Sequence, residues 1–193
     1  MSSDDEGRLI EAAINGDLGA FEKLYRMHCS RVHGLCIRLC DSHADAQDAT
    51  QETFVKAWRA LGSFKRGSAF TTWLHRIAYN ESMNLRRYKN APERHLQLAE
   101  EIAGRDDSST ATEIEQLEKA VRRLPDRARE ALVLHKIYGY THEETAEFMG
   151  TTTGASKAQV HRAMKMLQAL LDADPAAHTQ RSAPQTGGVI ADD

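Results

Sequence analysis

Aromatic residues are scarce, at 6% of 193, proline occurs four times, and alternation of apolar with polar residues is nearly absent. This suits a helical protein better than an aromatic-rich β-sandwich. No apolar run approaches the ~18 residues of a membrane span. The opening MSSDDEGR has neither the basic nor the apolar segment of a secretory signal. Both absences predict a cytoplasmic chain with no membrane insertion. A surplus of positive charge is missing too: 25 Lys and Arg stand against 28 Asp and Glu, a net of -3. Binding to a polyanion would therefore need charge segregated along the chain. No Gly-rich phosphate loop, nucleophile motif or closed metal-ligand set is present, which argues against an enzyme and predicts neither cofactor nor metal.

Cysteine is sparse and confined to one stretch, Cys29, Cys36 and Cys40, with His28, His33 and His43 interleaved. An odd number argues against a disulfide framework. The positions Cys29, His33, Cys36 and Cys40 share a helix face but spread over about 16 Å at 1.5 Å per residue, too far apart to surround one ion. Packing is the preferred reading of these thiols, since free cysteine behaves as a small buried hydrophobe. A redox or metal role is the alternative.

What is abundant is helical periodicity. A first segment runs from an N-cap at Asp17 to Cys40, with Phe21, Leu24, Tyr25, Val32, Leu35 and Leu39 on one face. A second opens at Asp45 and carries Ala46, Ala49, Thr53, Ala57, Trp58 and Leu61. The loop Gly62 to Ser68 leads to a third, striped by Phe70, Trp73, Leu74, Ile77, Ala78 and Leu85 and ending in Arg86, Arg87 and Lys89. Between residues 91 and 113 the pattern dissolves into a polar, acid-rich stretch that reads as a flexible linker.

A second unit follows, with Ile114, Leu117, Ala120, Val121 and Leu124 on one face and Pro125 opening a helix that Gly139 closes. Thr141-His142-Glu143-Glu144 is a T-x-x-E capping box, Gly150 ends that short helix, and Thr152 caps a last one with inner face Ser156, Val160, Ala163, Leu167 and Leu170. Two helices joined by a glycine turn, the second basic, have the shape of a helix-turn-helix. The fold class is all-α: two small helical domains on a flexible linker. Expected boundaries are a disordered 1–7, a first domain 8–90, the linker 91–113, a second domain 114–172 and a disordered tail 173–193.

Charge is segregated along this plan. Arg76, Arg86, Arg87, Lys89 and Arg94 face only Glu81 and Glu93, and Lys157, Arg162 and Lys165 have no acidic neighbour between residues 154 and 168. The acids gather at Asp41, Asp45, Asp48 and Glu52 and in the linker. Both units thus carry a basic helix, as binding to a phosphate backbone requires.

On these residues the chain resembles an extracytoplasmic-function (ECF) sigma factor of the sigma-70 family over about residues 8 to 172. DAQDATQETFVKAWRAL (Asp45 to Leu61) is similar to the region 2 helix that docks on the clamp helices of the largest subunit of RNA polymerase. FKRGSAFTTWLHRIAYNESMNLRR (Phe64 to Arg87) resembles the segment that reads and opens the -10 element, and the helices after Leu124 resemble region 4, which reads the -35 element.

The resemblance implies docking through Asp45, Asp48, Gln51 and Glu52. It implies -10 contacts from Phe64, Lys65, Arg66, Ser68, Trp73, Arg76, Asn80, Arg86 and Arg87, the loop and aromatics capturing unstacked bases while arginines hold phosphates. It implies -35 contacts from Thr152, Lys157, Gln159, His161 and Arg162. The implied partners are core polymerase, through its clamp helices and flap, promoter DNA, and an anti-sigma protein.

The family usually has arginine at Gln159 and a small hydroxyl residue at Ala158, so -35 specificity does not transfer. Its acidic tetrad is reduced here to Asp45-Ala46-Gln47-Asp48. A phosphate on Thr50 or Thr53 could refill that surface with about -1.5 to -2 charges, although packing is the preferred reading of both threonines. A self-sufficient helix-turn-helix transcriptional regulator is the alternative function; it has no use for the acidic helix or the loop.

Overall fold

The computed structural model describes residues 3–65, 67–89 and 113–173. Among them every regular element is helical: α1 (Ser3–Ile14), α2 (Leu18–Leu39), α3 (His43–Ala60), α4 (Phe70–Lys89), α5 (Glu113–Arg122), α6 (Asp126–Leu132), α7 (His142–Met149) and α8 (Thr153–Asp172). A 3-10 turn, Leu61–Ser63, follows α3, and a π turn, Val133–Ile137, continues α6.

The starts and stops follow from local chemistry. Asp17 caps α2, its carboxylate accepting the Ala20 amide at 3.0 Å. The next helix begins earlier than Asp45, at His43, because the Ser42 hydroxyl accepts the Asp45 amide at 3.1 Å and leaves Asp45 as the acid of the first turn. The capping box of α7 is complete: Thr141 Oγ1 accepts the Glu144 amide at 3.1 Å, and the Glu144 carboxylate accepts the Thr141 amide at 2.8 Å. Gly150 then reverses the chain at φ +59°, a left-handed conformation that favours glycine. Thr152 caps α8.

Two expectations are corrected here. Residues 1–7 were expected to lack order, yet the chain is helical from Ser3, because Ile10 and Ala13 bury against the rest of the first unit and Glu6 bonds His28 Nε2 at 2.8 Å. Leu117, expected on the inner face of α5, is 42% exposed, whereas Ala120, Val121 and Leu124 are buried. The linker expected over 91–113 lies outside the described residues up to 112, and Glu113 already belongs to α5. The tail from 174 lies outside them too.

In the first unit α2 lies against α1, α3 and α4, while α8 gathers α5, α6 and α7 in the second. The units meet. Buried apolar residues form one cluster, from Leu24, Leu35, Leu74 and Ala78 through Leu124, Ala131 and Leu134 to Val160 and Leu167. Gly34 makes room at the seam: a Cβ there would sit 3.3 Å from the hydroxyl of Tyr138. That hydroxyl donates to the Arg31 carbonyl at 3.1 Å, and Arg38 reaches Glu118 at 2.9 Å.

Candidate functional site

The exposed side of α3 and the neighbouring face of α4 enclose a groove of about 550 Å³, lined by Asp48, Gln51, Glu52, Val55, Glu81, Asn84, Leu85 and Tyr88. Val55 and Tyr88 are 41% and 55% exposed, so apolar surface lies among carboxylates. Asp48 and Gln51 are exposed and Glu52 half-buried. Lys56 reaches from α3 to Glu81 on α4 at 2.6 Å and fixes the groove's width. Such a surface suits a basic partner with an apolar stripe.

Asp45 does not belong to it. Its side chain is 9% exposed and pairs with Lys89 Nζ at 2.7 Å, because the end of α4 crosses the start of α3. Thr50 and Thr53 are buried as well, their hydroxyls donating at 2.6 Å to the carbonyls of Ala46 and Ala49. A phosphate on either would have to enter the core, so neither can refill the acidic surface. Val55, Leu85 and Tyr88 were missed by sequence reasoning. The available signal was Val55, one turn beyond Gln51 and Glu52 and apolar on a polar face.

Beyond the 3-10 turn, Lys65 and Ser68 are exposed, and Arg66 lies outside the described residues. Phe64 is not a free loop residue. It is buried, 5.4 Å from the Phe70 ring and 5.3 Å from the Trp73 ring, because the 3-10 turn folds it back over the start of α4. Trp73 is half-buried in the same aromatic group.

Along α4, Asn80 and Arg87 are exposed, Arg87 donating to Asn84 Oδ1 at 2.9 Å. Arg86, expected to hold phosphate, is 6% exposed. Its guanidinium pairs with Asp126 and lies 3.5 Å from both Asp41 and Glu130. Arg76 pairs with Glu147 at 2.5 Å and stands 5.1 Å above the Phe148 ring. Both arginines are therefore engaged by the second unit.

On α8 Ser156, Val160, Ala163 and Leu167 of the expected inner face are buried, whereas Leu170 is half-buried near the end of the helix. Lys157, His161 and Arg162 are exposed, Gln159 is half-buried, and Thr152 stands exposed at the cap. Three of these side chains share an outward face of a capped 20-residue helix, the form that enters a major groove.

The cysteines make no comparable site. Cys36 and Cys40 are buried thiols, and burial pushes Cys40 up to about 12, so it stays protonated and unreactive. Among the described residues no group of three or more His, Cys, Asp or Glu is placed to hold a metal ion.

A helical bundle with an acidic and apolar groove, followed by a helix-turn-helix, defines the class of DNA-binding proteins. The chain matches the family model for sigma-70 region 2 over residues 24–91 and that for sigma-70, region 4 over residues 114–167. It is 32% identical over 190 residues to the RNA polymerase sigma-H factor of Pseudomonas aeruginosa, covering 89% of this chain and 98% of that one. It is 34% identical over 167 residues to the ECF RNA polymerase sigma factor SigM of Mycobacterium tuberculosis, covering 86% and 84%.

Two solved structures share the fold at 29% identity. CnrH in complex with the cytosolic domain of CnrY has a TM-score of 0.63 and covers 88% of this chain and 99% of that chain. The sigma factor RpoE in complex with the anti-sigma factor NepR from Bartonella quintana has a TM-score of 0.65 and covers 80% and 98%. The chain belongs to the sigma-70 family, in its ECF branch.

Proposed function

We propose that this ECF sigma factor, a non-enzymatic cytoplasmic subunit, directs core polymerase to promoters by reading a -35 element with α8 and by reading and opening a -10 element with the Lys65–Ser68 loop and α4. The observation that carries this reading is the presence in one chain of two different surfaces: the carboxylate-rimmed groove of α3 and α4, and the outward Lys157, His161 and Arg162 of α8. Asp48, Gln51 and Glu52 dock on the basic clamp helices. Lys65 and Ser68 offer hydrogen bonds to unstacked bases beside Trp73, and Arg87 and Asn80 extend the surface along α4.

Among the described residues no helix is long and apolar enough to cross a membrane, in keeping with a cytoplasmic site of action. RpoE was solved with an anti-sigma factor, which supports a protein inhibitor for this chain as well. Run-off transcription with purified core polymerase, followed by mapping of the start sites, tests the reading. Transcripts with common sequences near -10 and -35 are expected. DNA binding that needs no polymerase, with no transcript, would point to a self-sufficient regulator instead.

A further inference from the structure

Between the π turn and α7, Gly139 takes a left-handed φ of +76° and reverses the chain. The reversal lays the imidazoles of His135 and His142 face to face, with 3.9 Å between centroids and 20° between planes. Each ring is tied at Nδ1. His135 Nδ1 lies 2.7 Å from the Tyr140 carbonyl oxygen, and His142 Nδ1 lies 3.2 Å from the hydroxyl of Ser156, a buried residue of α8. The stack thus braces the turn against the helix that the promoter reading sends into the major groove.

These bonds decide where a proton can be added. A carbonyl oxygen only accepts, so His135 carries its hydrogen on Nδ1 and, when neutral, a lone pair on Nε2. The Ser156 hydroxyl accepts as well as it donates, so His142 can hold a proton on both nitrogens without losing its bond. Two imidazolium rings at this separation repel each other, and the pair takes a first proton far more readily than a second.

The charged groups facing the pair are Lys136 on the π turn, Lys157 on α8 and Glu143 on α7, all exposed. Burial first, then His135 and Lys157, hold His142 below the ordinary histidine range; Glu143 opposes them and Lys136 adds to them. At pH 7 this ring is therefore neutral in the free chain. Lys157 is also one of the outward side chains that the promoter reading assigns to the -35 element. A DNA phosphate against Lys157 and Lys136 offsets the charge that keeps the proton away.

We propose, resting on the promoter reading, that His135 and His142 form a proton-binding phosphate contact at the edge of the helix-turn-helix: duplex DNA held by Lys136 and Lys157 draws one proton from solvent onto the stacked pair, and affinity for DNA rises as the pH falls. Both residues are half-buried, so part of each stays open to solvent. Because the DNA-bound state holds the proton more tightly than the free state, the gain is complete below the pKa of the free pair. It is lost as the pH rises through the pKa of the bound pair.

The test uses the full chain and a duplex oligonucleotide of arbitrary sequence, since phosphates are common to every sequence. His161, exposed on α8, is a third imidazole on this unit, so the rings of His135, His142 and His161 are followed separately by NMR across a pH series, with and without the duplex. The titration midpoint of His142 is expected to rise by about one pH unit on binding. Between pH 8 and pH 6 the wild type is expected to gain up to about 10-fold more affinity than His142→Gln, which keeps a partner for Ser156 and does not titrate, with helical content by circular dichroism unchanged.

A His142 midpoint that the duplex does not move, or equal gains for the wild type and His142→Gln, would overturn the contact. Run-off transcription separates this from the promoter reading. Transcripts from a chain whose His142 midpoint stays fixed remove the contact and leave the promoter role, whereas a moved midpoint with no transcript leaves the contact and removes the role.

Discussion

The Nδ1 atom of His75 on α4 and the hydroxyl of Tyr140, just before α7, lie 2.7 Å apart and join the two units at a buried point. Burial raises the Tyr140 hydroxyl above its ordinary range, so it stays protonated and donates, while His75 Nδ1 accepts. The other ring nitrogen, Nε2, is buried without a hydrogen-bond partner. Burial first, then the charges of Arg31 and His28, lower His75 to about 4.

This makes the folded chain sensitive to acid. In the folded chain the ring stays neutral down to about pH 4, whereas a solvated histidine takes its proton near 6.5. The unfolded chain therefore binds a proton that the folded chain refuses. The stability tied to this group is intact above about pH 6.5 and falls as the pH drops toward 4. Urea unfolding at pH 7 and pH 5 should show the wild type losing about 1–2 kcal/mol more than His75→Gln, which keeps an acceptor but does not titrate. Equal losses would show that His75 does not titrate in this way.

Phe64 is a core residue beside the loop and not a base platform. Phe64→Ala should cost about 3–5 kcal/mol in urea unfolding through the lost contacts with Phe70 and Trp73. Lys65→Ala, at an exposed position, should leave the unfolding midpoint within about 0.5 kcal/mol and weaken promoter opening, read by permanganate reactivity of unpaired thymines.

On α3, Asp48→Lys with Glu52→Lys should weaken binding to core polymerase, and the defect should shrink as salt is raised. Asp45→Asn should behave differently. It removes a partner of Lys89 and the acid of the first helical turn, so a loss of about 1 kcal/mol in stability is expected with little effect on the docking surface itself. Surface plasmon resonance alongside thermal unfolding separates the two effects.

Thr50→Asp should destabilise the chain by more than about 2 kcal/mol and should not improve docking, since the carboxylate would replace a hydroxyl buried against the Ala46 carbonyl and His33. A stable Thr50→Asp variant with raised affinity for core would reverse that conclusion.

Arg162→Ala should cost on the order of 1–3 kcal/mol in -35 binding and lower the salt slope by about one, because its side chain is exposed on the outward face of α8. Fluorescence anisotropy on a -35 duplex across a salt series measures both.

The helices were legible where their signals are local. The caps at Asp17, Thr141 and Thr152, the reversal at Gly150 and the inner stripe of α8 all rest on residues within a few positions of one another. What escaped is non-local. Phe64 sits beside a single 3-10 turn, too short to display a packing period, and its ring partners lie beyond the loop. Arg86 looked like part of an exposed basic patch because its carboxylate partners lie some 40 or more positions away along the chain. Asp45 fits the spacing of the acidic face, but the spacing does not show that Lys89 lies over it. The groove was half legible: its acids were read from α3 alone, and the contribution of α4, Glu81 to Tyr88, depends on how the two helices pack.

The apolar cluster that passes unbroken from α2 and α4 into α6 and α8 makes the melting behaviour of the two halves a single property. While the seam is closed, heating should produce one heat-absorption peak, since each half covers core surface of the other. Loosening the seam should split that peak in two and let the amide protons of the less stable half exchange first, so that calorimetry registers the weakened seam as lost cooperativity.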